Sequence, residues 1–170
     1  MRRLLLTLVA LFAVAATSAQ CWSAGLRLGS GAQLVAQYNY NYRGYLEGRV
    51  GVSWLAIGGI NGDASLLHNW HISEMCWTPN AGDWFFDAGV GANVNGHRGQ
   101  LSCGVVGVAR LGIKLHDLPL TISLDYSPIF GPTIYRYTYY DAALLQHSAL
   151  CSEFNFFGLY NAAITLSFRF

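Results

Sequence analysis

The sequence predicts an all-β protein, namely an eight-stranded antiparallel up-and-down transmembrane β-barrel. First, apolar and polar residues alternate along one segment after another, which places them on opposite faces of strands. Second, 53% of the 170 residues are apolar and only 11% are charged, whereas typical soluble domains are about 25% charged. Third, after residue 19 no run reaches the roughly 20 apolar residues of a membrane-spanning helix. Hydrophobicity dispersed at a period of two is what a membrane β-barrel requires.

The N-terminus has the pattern of a secretory signal peptide. Arg2 and Arg3 precede an apolar run over 4–16, and a small-residue cleavage site follows it. The run is shorter than a transmembrane helix needs to be. We therefore expect a signal peptide over 1–19 and a single outer-membrane barrel domain over 20–170.

The residues that follow the predicted cleavage site leave one alternative open. Cys21 would become lipidated in a lipoprotein, but it follows Gln20, whereas a lipidated cysteine normally follows a small residue. Loss of the signal peptide leaves eight basic and nine acidic residues, a formal charge of about −1. This balance gives no reason to expect nucleic acid as a partner.

The first three predicted strands are short and clearly bounded. They cover 22–29, 32–41 and 45–57, and glycine-containing turns at Ser30-Gly31 and Arg43-Gly44 separate them. Each strand sets leucine, tyrosine, valine or tryptophan on one face against arginine, glutamine, glutamate or serine on the other. The pattern is that of strands with one apolar and one polar face.

The next four predicted strands are longer. The fourth, 63–74, has the weakest alternation, because His68 falls among its apolar positions. The fifth and sixth, 83–96 and 101–115, alternate over most of their length, and a His-Arg-Gly turn joins them. The seventh, 118–131, follows a short Asp-Leu-Pro turn and sets leucine and isoleucine against threonine, serine and aspartate.

The last predicted strand, 158–170, has the clearest pattern. Six apolar or aromatic residues alternate with mostly polar ones, and the strand ends on Phe170. Its length fits a tilted membrane strand of about 9–11 residues. Between it and the seventh strand, residues 132–157 show no alternation, so we expect a tyrosine-rich loop with a short helix near 141–153. An even number of strands places both termini on one side, the periplasm, and the long loop outside the cell.

Three segments resemble known small barrels. They are Gly-Leu-Arg-Leu-Gly at 25–29, Leu-Pro-Leu-Thr-Ile-Ser-Leu-Asp-Tyr-Ser-Pro at 118–128 and Ile-Thr-Leu-Ser-Phe-Arg-Phe at 164–170. The chain resembles outer membrane protein X and the OmpA transmembrane domain, and more closely the short barrel proteins of Bacteroidota. The resemblance implies an integral, porin-like membrane protein of the Gram-negative outer membrane. It implies little about activity, because such barrels serve many functions.

The polar faces of the predicted strands collect charged residues in the barrel lumen. An eight-stranded barrel is just wide enough for side chains to fill it, so we expect these charges to pair and to plug the lumen. A gated ion or proton path is the alternative. The cluster that we predict comprises seven of them: Arg27, Glu47, Arg49, Asp87, Arg110, Asp125 and Arg169. Asp83 and Lys114 also lie on the polar faces but are not part of the predicted cluster.

The turn positions predict which of these charges face each other. A turn centred near 98–99 places Asp87 opposite Arg110, and a turn centred near 117–118 places Arg110 opposite Asp125. Residues opposite each other on neighbouring strands are close enough to interact. We therefore expect Arg110 to lie between two carboxylates.

The four cysteines allow three pairings, and export would permit disulfides. Only Cys21–Cys76 with Cys103–Cys151 keeps each bridge on one side of the membrane. We expect these two bridges, and the alternative is free thiols packed as small apolar residues.

The sequence carries no recognisable catalytic or metal-binding set. The five histidines are scattered, and we expect neither a metal nor a cofactor. Ser65, His97 and His147-Ser148 lie toward the outer end, but no nucleophile, base and acid can be chosen by spacing. We therefore expect no enzyme. Two alternatives stay open: a lipid-A-modifying enzyme, and a soluble lipocalin-like barrel whose apolar face points inward to a ligand.

The expected function is that of a small integral outer-membrane barrel with a plugged polar lumen and a structural or surface-binding role. The partners that we expect are outer-membrane lipid, lipopolysaccharide and the barrel-assembly machinery, which would contact the C-terminal strand ending at Phe170. An extracellular partner would bind the 132–157 loop. The tyrosines of 134–140 would form such a surface or, alternatively, an aromatic girdle at the membrane interface.

Overall fold

A computed structural model gives the fold of the chain and describes residues 21–54, 60–75, 81–97, 99–140, 146–155 and 159–170. The predicted signal peptide lies outside the described residues, as does Cys76. In these ranges no helix is long and apolar enough to span a membrane.

The structure contains ten strands. They are β1 (Trp22–Gly29), β2 (Gly31–Asn41), β3 (Gly44–Ser53), β4 (Asn61–Glu74), β5 (Gly82–His97), β6 (Gln100–Leu115), β7 (Leu120–Tyr126), β8 (Ile129–Tyr140), β9 (Gln146–Asn155) and β10 (Ala162–Arg169).

The strands form a closed barrel with eight antiparallel positions in its wall. From β1 to β6 each strand pairs with the next, and β10 pairs with both β7 and β1. β7 and β8 share one wall position, because β6 pairs with β7 over 109–114 and with β8 over 100–106. In the same way β9 and β10 share the next wall position, because β9 pairs with β8 and β10 pairs with β7. The predicted number of strands around the barrel is therefore confirmed.

The seventh wall strand is interrupted where the sequence predicted continuity over 118–131. Ser127 and Pro128 separate β7 from β8. Proline has no N–H to donate and is found in sheets at bulges and edges. Its carbonyl still accepts a hydrogen bond from the Gly107 N–H at 3.0 Å.

The predicted loop over 132–157 and its helix near 141–153 are wrong. Residues 129–140 and 146–155 form the β8–β9 hairpin instead, while 141–145 lie outside the described residues. Tyrosine, isoleucine and threonine favour strands. Here tyrosine and polar residues occupy both faces, so the period of two is lost although the strand forms.

The apolar face of the barrel lies outside. On β2, Leu34 is 67% exposed and its neighbour Val35, which points inward, is 3% exposed. Val90 on β5 and Ile122 on β7 are also exposed, as their alternation predicts. The lumen is filled mainly by buried polar side chains, with one apolar cluster formed by Leu67, Val106, Val108 and Ile129.

Candidate functional site

The candidate site is the network of buried charges inside the barrel. Six of the seven predicted lumen charges are buried, and Glu47 and Asp125 are completely inaccessible to solvent. The alternation places each on the inward face. Antiparallel pairing places Asp87, Arg110 and Asp125 side by side, and the closure of the barrel brings the others to them. The six buried charges are Arg27, Glu47, Arg49, Asp87, Arg110 and Asp125.

Arg110 on β6 is the centre of the network. Its Nη1 and Nη2 donate to Glu47 Oε2 at 2.7 Å and Oε1 at 2.9 Å, across the lumen on β3. Its Nε donates to Asp125 Oδ1 on the neighbouring β7 at 2.5 Å. The bidentate contact with Glu47 uses the planar fork of the guanidinium group, which a lysine could not reproduce. Arg110 therefore joins two opposite sides of the wall.

The predicted registers are confirmed, but Asp87 has different partners from those expected. Asp87 lies opposite Arg110, and Arg110 lies opposite Asp125. Asp87 nevertheless accepts a hydrogen bond from the Tyr45 hydroxyl at 2.9 Å and lies 2.9 Å from His71 Nδ1. Arg110 Nη1 donates to the same Tyr45 oxygen at 2.6 Å. The two carboxylates that bracket Arg110 are thus those of Asp125 and Glu47, and Tyr45 separates Asp87 from the arginine.

Arg49 extends the network along β3. Its Nε donates to Glu47 Oε1 at 2.5 Å, and its Nη1 donates to Ser127 Oγ at 3.1 Å. Its Nη2 lies 3.9 Å from Asp125 Oδ2, which is ion-pair distance without a hydrogen bond. Glu47 therefore faces two arginines, and Asp125 faces Arg110 and Arg49 together.

Arg27 connects the charged centre to the end of the lumen that lies opposite the chain termini. Its Nη2 donates to Ser127 Oγ at 3.2 Å and to Asn161 Oδ1 at 2.9 Å, and its Nη1 donates to Gln33 Oε1 at 3.0 Å. Its Nε lies 3.5 Å from Asp125 Oδ2. Because these partners come from β2, β7 and the segments flanking β7 and β10, Arg27 links the first strands to the last.

Asp63 on β4 is a buried charge that the alternation could have identified but that the predicted cluster omitted. It accepts hydrogen bonds from the side-chain amides of Gln33, Asn93 at 2.8 Å and Asn95 at 3.4 Å. Tyr45 was missed as well, although its position two residues before Glu47 places it on the inward face. The hydrogen-bond donors around the Asp63 carboxylate are thus neutral amides, whereas those around Glu47 include two arginines.

The network holds its charges in fixed contacts. Three arginines face four carboxylates, those of Glu47, Asp63, Asp87 and Asp125, which gives a formal sum of −1 before His71 is counted. Guanidinium groups stay protonated in proteins, so the arginines cannot pass a proton along the chain of contacts. The arrangement can cross-link the wall and block the passage of ions through the centre of the lumen.

Arg169 was predicted in the cluster, and the structure corrects this. It lies at the end of β10, is exposed, and donates from Nη2 to the Leu115 carbonyl at 3.1 Å. The position is on the inward face but beyond the filled part of the lumen. Two more pairs lie at the same rim, Lys114 with Glu74 and His116 with Asp83, both at 2.9 Å.

The predicted bridge between Cys103 and Cys151 is also corrected. Both are free thiols, as is Cys21, and the other proposed partner, Cys76, lies outside the described residues. Cys103 is on the outward face of β6. Cys151 is opposite Tyr135, which is opposite Gln100 on the inward face. The two thiols therefore point to opposite faces and lie two strands apart, about 10 Å by strand spacing, whereas a disulfide needs Cα atoms within about 7 Å.

The residues considered for catalysis do not form a set in the described part of the chain. Ser65 accepts a hydrogen bond from Asn93 at 2.8 Å, Ser148 is exposed on β9, and the side chains of His97 and His147 lie outside the description. Among the described residues no three histidine, cysteine, aspartate or glutamate side chains could hold a metal ion.

Comparison with known proteins adds no assignment to this geometry. No protein-family model, no curated protein and no solved structure matches the chain. What the fold and the lumen define is a class: a small, closed, eight-stranded antiparallel β-barrel whose interior is filled by paired charges.

Proposed function

We propose that this protein is an integral barrel of a bacterial outer membrane, with a plugged polar lumen and a structural or surface-binding role. The observation that carries the proposal is that apolar side chains lie on the outside of the barrel and charged side chains on the inside, the reverse of the usual arrangement in a soluble protein. Large apolar side chains such as Leu34, Leu66 and Ile164 are more than half exposed, while Arg27, Arg49 and Arg110 are at most 2% exposed. Lipid is the surrounding that would make this distribution favourable.

The extent of the apolar surface supports the proposal. Soluble monomers rarely expose contiguous apolar patches larger than a few hundred Å². Here exposed leucine, isoleucine or valine occurs on the outward faces of β1 to β7 and of β10. These exposed side chains therefore form an apolar belt that surrounds the barrel, whereas a site for one protein partner would cover only part of the wall.

Aromatic residues occur near both edges of this belt. Trp22, Tyr40 and Trp70 lie toward the chain termini, and Trp54 and Tyr160 lie toward the opposite end. Tryptophan and tyrosine are enriched where a membrane meets water. The ten residue steps from Ile60 to Trp70 span about 33 Å along a strand, or about 25 Å along the barrel axis when the strands are tilted by about 40°. That height matches the apolar band of outer-membrane barrels.

The lumen supports a plug and does not favour a lipocalin-like ligand cavity. A lipocalin-like barrel would turn its apolar face inward. Here the charged network of Arg110, Glu47 and Asp125 occupies the inside. Eight strands leave room for side chains and little more.

In this proposal residues 1–19 direct export, both termini are periplasmic, and lipid and lipopolysaccharide surround the wall. The barrel-assembly machinery would engage β10, which is followed by Phe170. The β8–β9 hairpin would project from the cell surface, because β8 beyond Tyr135 pairs only with β9 among the described residues. Its exposed Tyr137 and Leu150 would supply the binding surface.

Fractionation tests the membrane proposal. Membranes of cells expressing the full chain are washed with alkaline carbonate, and the protein is followed in pellet and supernatant. We expect it to stay in the pellet and to migrate faster on unboiled gels than on boiled ones, as folded barrels do. Release into the wash as folded protein would contradict the proposal.

A pull-down from intact cells tests the surface role. The wild-type chain is compared with a variant in which residues 133–157 are replaced by a short turn. We expect partners that depend on the hairpin, with both proteins equally heat-modifiable. Equal recovery of the same partners by both would leave the barrel with a structural role alone.

A further inference from the structure

The end of the lumen nearest the chain termini opens into a small polar cavity, which we call the vestibule. Its floor is Tyr45, Asp87 and Arg110, and its mouth includes Lys114 and Arg169. The cavity volume is about 50 Å³. A water needs about 10–15 Å³ by this measure, so the vestibule holds roughly four water-sized groups. That is the size of a tetrahedral oxyanion.

The two sides of the vestibule differ in charge. One side is built by β3, β4 and β5 and presents Tyr45, His71 and Asp87, which are already hydrogen-bonded to one another. The other side is built by neighbouring strands β6, β7, β10 and β1. In addition to Arg110 in the floor, it carries two cationic side chains and several hydroxyls, and none of the residues with which it lines the cavity is an acid. Its polar members are Lys114, Thr121, Ser123, Ser167, Arg169 and Ser23.

The cationic side has donors to spare. The pairing registers place Lys114 opposite Thr121, Thr121 opposite Ser167, and Arg169 opposite Ser23, so cations and hydroxyls are adjacent. Lys114 uses one of its three N–H donors on Glu74, and Arg169 uses one of its five on a carbonyl.

The hydroxyls on this side are also available. In the described part of the chain, the hydroxyls of Ser23, Thr121 and Ser167 have no hydrogen-bond partner. Free hydroxyls beside two cations are suited to bind an anion, because each charge-assisted hydrogen bond is stronger than a neutral one.

The acids nearest this side are held by other partners. This holds for Asp87, which is bonded to Tyr45 and His71 across the cavity, and for Asp83, which is paired with His116. The exception is Glu74, which accepts one hydrogen bond from Lys114 itself at 2.9 Å and leaves two donors of the ammonium group free of that carboxylate. The Lys114 ammonium is positioned 5.2 Å above the ring of Phe85, which lines the vestibule. Its charge is thus fixed at the mouth of the cavity.

We propose that the vestibule binds a small free oxyanion, such as inorganic phosphate, on the side formed by Lys114, Thr121, Ser167 and Arg169. The site lies inside the lumen and not on the outer wall, so a free anion reaches it more directly than a lipid headgroup does. The inference rests on the vestibule alone and holds whether or not the barrel spans a membrane.

Titration calorimetry of the folded full-length barrel in a phosphate-free maltoside detergent tests this. Sodium phosphate is titrated at neutral pH against a sodium chloride blank of equal ionic strength. We expect saturable binding by the wild type. We also expect about tenfold weaker binding by Lys114→Met and by Thr121→Val, since each loses a hydrogen bond to a charged ligand.

Arg43→Met is the matched control. Arg43 is an exposed cation in the turn between β2 and β3 at the same rim, and it lies outside the vestibule over the ring of Tyr42. We expect it to bind phosphate as the wild type does. Absence of binding to the wild type would overturn the proposal, and so would equal affinity in the wild type, Lys114→Met and Thr121→Val. Urea midpoints of all four proteins show whether each variant is folded.

Discussion

Arg110 and Glu47 join opposite sides of the barrel through two hydrogen bonds of 2.7 and 2.9 Å, although 63 residues separate them in the chain. Both side chains are buried. Breaking a buried ion pair by removing one partner costs about 3–5 kcal/mol, because the remaining charge loses its compensation. The contact therefore makes the stability of β3 depend on that of β6.

Arg110→Met should destabilise the barrel by about 3–5 kcal/mol, measured as the free energy of unfolding in urea. Methionine keeps much of the volume and removes the charge. Arg43→Met in the exposed turn is the control and should change little. An unchanged urea midpoint for Arg110→Met would contradict the central position of this arginine.

A second substitution identifies the partner of Arg110. Adding Glu47→Gln to Arg110→Met should recover part of the lost stability, because it removes one of the two carboxylates that lose their contact with Arg110, while Arg49 is left as the only arginine beside Glu47. Adding Asp87→Asn should recover less, since Asp87 contacts Tyr45 and His71 and not the arginine. Greater recovery with Asp87→Asn would support the triad expected from the sequence and contradict the observed geometry.

Tyr45→Phe should cost about 1–3 kcal/mol, because Asp87 and Arg110 each lose one of their buried hydrogen-bond partners. Tyr42→Phe is the control, as Tyr42 is 80% exposed. Equal unfolding free energies for the two variants would show that the Tyr45 hydroxyl does not connect these charges.

Mass mapping of the purified protein under non-reducing conditions should find no peptide in which Cys103 is linked to Cys151. The two thiols point to opposite faces of the wall. Treatment of the folded protein with a reducing agent should accordingly not break any link between β6 and β9. Recovery of that linked peptide from folded protein would require a different register between β6, β8 and β9.

The barrel could be predicted from the sequence because one signal, the alternation, determines the strands and their inward faces. It placed Asp87, Arg110 and Asp125 on one face and in the correct register. Partners across the lumen could not be predicted, because Glu47 is three strands from Arg110 and its approach depends on closure. The β8–β9 hairpin was missed because its aromatic residues occupy both faces, so strand propensity was present without alternation.

Spin labelling in lipid vesicles tests the central claim, that the apolar outer wall faces lipid, most directly. Single cysteines at Leu166 on β10 and at Arg43 in the turn are labelled in a background without native cysteines, and accessibility to oxygen and to a water-soluble nickel complex is measured. We predict that the label at Leu166, 42% exposed in the middle of the belt, is relaxed by oxygen and protected from nickel. The label at Arg43 should show the reverse. Equal nickel accessibility at both positions in folded protein would contradict the account.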